Sequence, residues 1–573
     1  TKGGLDKDEA FRWSYGFGET FTFLLPDLYG GGSRNSENSA SKFVEKLTEV
    51  GMPQENAAQN AAYSIYWGSQ PSTAGPVYLG AIICFLFVFG LFYIQGWQKW
   101  WMLVASAIGI LLAWGANLKG INFFLFDHLP LYNKFRAVTM SLVIPQLCFP
   151  LLGVMAVNKL LGETDFGAAW KKLRLSVNVM GAILLFLAAF YFTASFSGTN
   201  DKSLKDNFKQ SMLQQVPAGQ QAPPQLQQQA EDFSNGLLTS LRDDRKTLMG
   251  EDLLRTILLI VAAVVLLGLF VKQKIKPAIL IAGLIILSSF DLLSVASRYL
   301  NGDNFVDSND FESTFNASEA ELQILRDPDH TNFRVFDQTA GNPLTYDINT
   351  PYHLNAIGGY HPAILGLYND LIDNQLTKGN MNVYDMLNTK YFIVRNPQTG
   401  KPVAQLNPGA FGNAWLVKGI KYVANADEEM DALDSTHLKD TAVVDKRYAP
   451  LIKAMPAADS AAFIRLKENR NDTIDYVFHS ATPAFAVMSE VYYPLGWDAF
   501  IDGKKSDYVK ADYVLRGMSV PAGDHTIEFR FEPQSFYTGR TITIFANILV
   551  FLSLVIALVV AIVKKPTPST KVA

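Results

Sequence analysis

Acids and bases gather early in the chain, beside apolar patches. Glu19 and Asp27 flank the patch Phe21 to Pro26, and Asp127 and His128 are neighbours in a short stretch closed by Pro130. Lys134 and Arg136 stand just ahead of an apolar run that begins at Thr139. A carboxylate can take a proton from a hydroxyl, and a carboxylate beside an imidazole can serve as base or metal ligand. A guanidinium presents a planar fork that matches phosphate oxygens, whereas an ammonium offers a point charge. Far downstream, Tyr360 and His361 follow Gly358-Gly359 and pair a phenol with an imidazole. Plainer roles compete in every case. Glu19 and Asp27 also suit helix caps or solvated acids, Asp127 and His128 a surface turn, and His361 a satisfied domain histidine. Lys134 and Arg136 also suit snorkelling to lipid head groups or pairing with an acid.

Long apolar runs must position these side chains. Seven nearly uncharged runs, 76–95, 101–118, 139–158, 175–198, 256–271, 277–296 and 541–563, each come close to the length that crosses roughly 30 Å of hydrocarbon as helix. If the runs alternate, Lys159, Lys171, Lys172, Arg174, Lys272, Lys274, Lys276 and the tail lysines Lys564, Lys565 and Lys571 share one side, which is then cytoplasmic. The other side receives 1–75, 119–138, 199–252 and 297–540. Lys134 and Arg136 break the charge rule on that side and call for a reason. Asp291, in the outer half of run 277–296, is an expensive intramembrane acid for which function and pairing with Arg298 are equal readings.

Composition agrees with a mixed chain. Hydrophobic residues make up 49%, yet mean hydropathy is only +0.11 and net charge −4, so apolar helices are averaged with a polar part of about 240 residues. There is no basic excess to suggest nucleic acid. Both cysteines, Cys84 and Cys148, fall in apolar runs, so the outer domains rely on packing without disulfides. Asn316-Ala-Ser318 and Asn471-Asp-Thr473 match the glycosylation pattern, which also arises often by chance, and the expected address is a bacterial inner membrane with large domains in the periplasm. The chain opens at Thr1 in a polar outer region with neither an initiator Met nor a signal-like segment, so further membrane helices are expected to precede it.

The expected fold is an α-helical polytopic membrane protein of about seven helices, with a periplasmic α/β domain and a C-terminal β-sandwich inserted before the last helix. Residues 1–75 form an extracytoplasmic loop region with short helices, in which Gly30-Gly-Gly-Ser33 reads as a flexible turn. Residues 76–298 form a six-helix membrane domain, including the Gln/Pro-rich loop 199–252, which reads as exposed helix and loop. The charged run Asp243, Asp244, Arg245, Lys246 reads as a solvated helix face. Residues 299–470 mix helical stretches at 363–376 and 383–387 with strands at 333–336 and 391–394, as an α/β domain does. In 471–540, alternation across 474–478, 485–491, 497–501, 513–520 and 525–531, with turns between, marks the sandwich. Its aromatics Tyr492, Tyr493, Trp497 and Tyr513 suit core packing better than a carbohydrate-binding face. The last helix, 541–563, and a cytoplasmic tail, 564–573, complete the chain.

Several strings carry a resemblance. They are Ser14-Tyr-Gly-Phe-Gly-Glu-Thr20 with Leu25-Pro-Asp-Leu-Tyr-Gly-Gly-Gly-Ser33, Tyr66-Trp-Gly-Ser-Gln-Pro71 with Gly75-Pro-Val-Tyr-Leu-Gly80, and Tyr132-Asn-Lys-Phe-Arg-Ala137. Later come Gly358-Gly-Tyr-His361, Asp385-Met-Leu-Asn-Thr-Lys-Tyr391, Tyr493-Pro-Leu-Gly-Trp497, Ile501-Asp-Gly503 and Pro521-Ala-Gly-Asp-His-Thr-Ile527. In this order, over essentially the whole chain, they resemble the YfhO-like family of bacterial membrane proteins, grouped with the GT-C glycosyltransferases. The resemblance implies a multi-spanning core that moves a sugar from a polyprenyl-phosphate donor onto an envelope glycan or glycolipid acceptor outside the cytoplasm. In that superfamily the catalytic carboxylate usually lies in the first extracytoplasmic loop, and this sequence begins after it, a departure that leaves the base unassigned.

For such a transfer a carboxylate activates the acceptor hydroxyl and cations stabilise the departing phosphate. Glu19, Asp27 and Asp127 are the candidate catalytic acids. Arg136 is the first choice for phosphate contact and Lys134 the second, with His128, Tyr360 and His361 as further substrate contacts. Neither a paired His or Cys signature nor a phosphate-binding Gly loop is present, so no cofactor is assigned and a divalent cation on scattered acids stays open. The alternative is a non-catalytic membrane subunit whose periplasmic domains dock onto a larger membrane complex or an envelope glycan. A transporter fits less well.

Overall fold

The computed structural model describes residues 6–33, 41–214, 222–361, 363–453 and 459–563. The tail with Lys564, Lys565 and Lys571, and residues 215–221 of the Gln/Pro-rich loop, lie outside the described residues. Two compact units divide the chain, Thr1–Val306 and Asp307–Ala573.

In the first unit the apolar runs fold into α1 (Ala81–Tyr93), α2 (Gln98–Ala113), α3 (Val143–Leu161), α4 (Phe166–Thr193), α5 (Pro224–Val271) and α6 (Pro277–Ala296). Among the described residues of the chain, five helices are long and apolar enough to cross a membrane: α3 to α6 and the final helix. They become six if α2 and the following Gly115–His128, bent by 104° from it, form one span. Run 76–95 yields only the 13 residues of α1, roughly 20 Å of helix. Most of α1 is buried, because α3, α4, α5 and α6 pack around it. A helix shielded by protein need not match the bilayer thickness. Gly90 lets α3 approach closely, since a Cβ there would sit 2.6 Å from Leu152 Cγ.

Asp291 on α6 has a local task. Its Oδ2 accepts the Ala81 N–H at the start of α1 at 2.7 Å, and its Oδ1 accepts the Tyr78 hydroxyl at 2.6 Å. Gly80, at φ 103°, allows the turn that aims this N–H at the carboxylate. The cation beside Asp291 is Arg255, at 2.8 Å, rather than the expected Arg298.

The Gln/Pro-rich segment is largely helical where it is described. Helix Asp201–Leu213 precedes α5, which starts at Pro224 and continues for 48 residues, about 72 Å, through the apolar run. Leu237 and Leu241 of α5, one turn apart, pack with Phe43, Leu47, Ala57, Ala61 and Ile65 from helices Ser41–Glu49 and Gln54–Ser64 and the residue after. This small core explains why a Gln-rich stretch holds a helix. It also corrects the charged run: Asp243 and Lys246 are exposed, but Asp244 is 5% and Arg245 2% accessible.

The second unit contains a three-stranded sheet, Arg334–Asp337, Thr389–Arg395 and Pro402–Leu406, whose first pair is parallel. A parallel pair, Gly419–Val423 with Thr441–Asp445, lies beside helix Ala426–Ser435. The sandwich follows. Its five-stranded sheet runs in the order Lys504–Ser506, Trp497–Ile501, Gly523–Phe531, Thr473–Ser480, Phe463–Asn469. The facing sheet runs Val509–Ala511, Leu515–Val520, Ala484–Val491, Ala414–Val417. Tyr476, Phe478 and Phe529 meet Ala486, Met488 and Met518 in the core between them.

A boundary at 470 therefore does not match the sheets, which take Ala414–Val417 and Phe463–Asn469 from before it. Trp415 pairs with Val487 across 72 residues of chain, a register that no local turn signal encodes. Strand Ala484–Val491 is also buried on both faces, because Phe485 and Val487 pack outward against Trp415, Leu438 and Val443.

One buried acid in this unit makes its stability pH-dependent. Asp512, fully buried, accepts the Val443 N–H at 2.7 Å while its Oδ2 has no partner among the described residues. Burial, with the Glu429 charge added and the Val443 N–H opposing, pushes it up to about 8. The folded form then holds a proton that the unfolded chain releases near pH 4, so stability falls as pH rises from about 4 to about 8 and is level above. Asp512→Asn keeps the acceptor and tolerates the φ of 49°. Thermal unfolding of this unit in the solubilised full chain is expected to lose most of its downward drift between pH 5 and pH 8 in that variant. An unchanged drift would assign it to other groups.

Candidate functional site

Two short turns set the site in the first unit. Gly18–Phe23 and Pro26–Tyr29 are 3-10 helices joined through Leu24 and Leu25, the second opened by Pro26 at its first position. Leu24, Leu25 and Leu28 are buried in the apolar core, which turns the polar faces of both segments toward residues 66–77. Glu19 is 3% accessible. Its Oε1 accepts the Tyr66 hydroxyl at 2.5 Å, and its Oε2 accepts the Gly16 N–H at 2.6 Å and the Ser69 N–H at 3.3 Å. Three donors leave a carboxylate with acceptor capacity to spare.

That carboxylate lines a cavity of about 110 Å³ with Tyr15, Tyr29, Tyr66, Gln70 and Thr139. The volume suits a hydroxyl-bearing group or a few waters. Burial first, and the Glu19 charge after it, hold the Tyr66 and Tyr29 phenols above their ordinary range, so both stay protonated donors. Tyr15 is raised by burial too, and its hydroxyl shares a 2.6 Å bond with Thr22. A carboxyl group ringed by phenols that keep their protons is placed to take a proton from a substrate hydroxyl.

Asp27 lies close in sequence but is spent elsewhere. Arg298 Nη1 reaches its Oδ2 at 2.7 Å, Tyr299 donates to Oδ1 at 3.3 Å, and the Asp27 N–H donates to Asp252 at 2.9 Å. Arg298 Nη2 closes the arrangement on Asp252 at 2.9 Å. Burial, then the Asp252 charge, raise Asp27 against the pull of Arg298. Its turn nevertheless supplies Pro26 and Tyr29 to the Glu19 cavity. The glycines that follow are buried rather than a free turn, with Gly31 on the cavity wall and the Gly30 Cα against the Ile65 carbonyl.

The remaining candidates disperse. Asp127 is half-exposed and pairs with Lys7 at 2.7 Å. His128 turns away from it, bonding the Phe124 carbonyl at 2.8 Å and stacking on that ring, so the two do not act as a base or metal pair. Lys134 and Arg136 are exposed. Arg136 has no ion pair among the described residues and stands three positions before Thr139, a wall of the Glu19 cavity. In the second unit Tyr360 is exposed and stacks on Tyr346 at 6.1 Å, and His361 lines a separate cavity with Arg334. Among the described residues no group of three His, Cys, Asp or Glu is placed to hold a metal ion.

The sequence reading missed Tyr15, Tyr29, Tyr66 and Thr139 around Glu19, and Asp252, Arg255 and Arg298 around Asp27. All three tyrosines belong to the strings that carried the resemblance. Asp252, Arg255 and Arg298 sit at the edges of apolar runs, where a charge is costly enough to be a signal.

No curated protein matches the chain, and no solved structure does. A family model described as bacterial membrane protein YfhO matches residues 432–543, from helix Ala426–Ser435 through the sandwich to the start of the final helix. Of the resemblance strings, Tyr493 to Trp497, Ile501 to Gly503 and Pro521 to Ile527 fall inside that segment and the earlier ones outside it. Residues 432–543, in a chain with helices of membrane-spanning length, thus match the family described as bacterial membrane protein YfhO.

Proposed function

We propose that the protein is a GT-C-type membrane glycosyltransferase of the bacterial inner membrane, moving a sugar from a polyprenyl-phosphate donor to an extracytoplasmic envelope acceptor. The observation that carries this reading is the Glu19 cavity: a buried carboxylate beside apolar helices, ringed by phenols and open to a small hydroxyl-bearing group. Glu19 is the base that takes the acceptor hydroxyl's proton. Arg136, with Lys134 near it, meets the donor phosphate on the approach to Thr139. Asp27 and Asp127 hold structure, and Tyr360 and His361 contact saccharide in the outer domain. That domain faces the periplasm.

Glu19→Gln keeps the volume and the Tyr66 contact but removes the base. Transfer is expected to fall by about a hundredfold or more, with protein abundance unchanged. Arg136→Ala is expected to reduce modification of the envelope glycan in the same cells. Wild-type modification in Glu19→Gln would overturn the assignment. It would favour the non-catalytic subunit, a reading supported by Asp127 pairing with Lys7 instead of lining the Glu19 cavity.

A further inference from the structure

Two adjoining cavities of about 560 and 340 Å³ open in the second unit and share Asn332, Phe333 and Asn413. They lie between the three-stranded sheet and the edge of the sandwich formed by Ala414–Val417 and Phe463–Asn469. Asparagine side chains dominate the polar wall: Asn332, Asn388, Asn407 and Asn413 in the larger cavity, Asn355 and Asn469 in the smaller. Asn388 Nδ2 donates to the Asn332 carbonyl at 3.0 Å, Asn413 Nδ2 donates to the same carbonyl, and Asn355 Nδ2 donates to the Thr331 carbonyl at 2.7 Å. Each amide is thereby fixed through its nitrogen. The oxygens of Asn355, Asn388 and Asn413 accept no protein donor among the described residues, and the Asn332 side chain makes no hydrogen bond at all there.

We propose that this cleft binds a neutral, hydroxyl-rich oligosaccharide. A row of held carbonyl oxygens asks its ligand for donors, and vicinal sugar hydroxyls supply them while accepting from the Asn332 amide. The same oxygens repel an anion, and of the cations on the walls Lys390 pairs with Asp327 at 2.7 Å, Arg334 pairs with Glu490 at 3.7 Å and Arg465 lies over the Phe463 ring. Leu406, Ile464 and Leu466 give the larger cavity an apolar side for the C–H face of a ring. Orientation through Nδ2 is made before the ligand arrives, so binding orders few side chains. Calling the bound saccharide the acceptor rests on the proposed function; binding itself does not.

The test uses the detergent-solubilised full chain with cellotetraose and chitotetraose, read by saturation-transfer NMR at millimolar ligand, with inorganic phosphate and calcium chloride as competitors. At least one tetrasaccharide is expected to bind. Asn332→Ala together with Asn469→Ala, both without side-chain hydrogen bonds among the described residues, should weaken it about tenfold. Glu19→Gln should bind like wild type, so loss of transfer and loss of binding separate. Absence of binding by either tetrasaccharide, unchanged affinity in the double variant, or displacement by phosphate or calcium would each overturn the proposal.

Discussion

Replacing Arg245 by Met is expected to destabilise the first unit by about 3–5 kcal/mol, the cost of stripping one partner from a buried ion pair. The guanidinium donates from all three of its nitrogens. Nε donates to the Ile65 carbonyl at 3.0 Å, Nη2 to Ser64 at 2.7 Å, and Nη1 to Phe196 and to Asp201 Oδ1, each at 2.9 Å. Ser64 and Ile65 close the helix Gln54–Ser64, and its last carbonyls have no partner within the helix. Met would orphan them and leave Asp201, 6% accessible, without its main cation. Arg245→Lys should recover only part of the loss, because one ammonium cannot span the carbonyls of Ser64, Ile65 and Phe196 and the Asp201 carboxylate together. Adding Asp201→Asn to Arg245→Met should recover part of it by removing the stranded charge. Thermal unfolding of the solubilised chain measures all three. A Met variant within about 0.5 kcal/mol of wild type would show that water replaces the guanidinium.

Arg298→Met should approach the same cost, reduced because this side chain is 21% exposed, and its effect should depend on pH. Arg298 is the cation common to Asp27 and Asp252. Asp27 is already raised by burial and by Asp252, so without Arg298 its proton affinity climbs further. A carboxyl raised in the folded state loses stability as pH rises through the window between its unfolded and folded values. The variant should therefore be closest to wild type near pH 5 and furthest from it above neutrality. Asp27→Asn in the same background should flatten the difference. Because Pro26 and Tyr29 of the clamped turn line the Glu19 cavity, the proposed transfer should fall along with stability. A pH-independent loss would mean that Asp27 is not the group left stranded.

Much of the architecture was legible. Uncharged runs placed α3, α4, α6 and the final helix, since length and apolarity are local properties. Alternation placed the strands Thr473–Ser480, Trp497–Ile501 and Gly523–Phe531 of the sandwich to within two residues. Strand Ala414–Val417 escaped because its pairing with Ala484–Val491 is remote in sequence. The run around Arg245 misled because four adjacent charges on a helix point in several directions, and only the neighbours decide which are buried.

The site divides along the same line. That Glu19 and Asp27 were worth weighing followed from acids bordering an apolar patch, an arrangement readable in a few consecutive residues. That Glu19 faces a cavity while Asp27 is locked to Arg298 depends on Tyr66, Asp252 and Arg298, which lie 47 to 271 positions away. Chain patterning sets local conformation and the sorting of apolar from polar surface. Burial, partners and empty space arise only when distant segments meet, and those three quantities separate an acid free to do chemistry from one that holds the fold together.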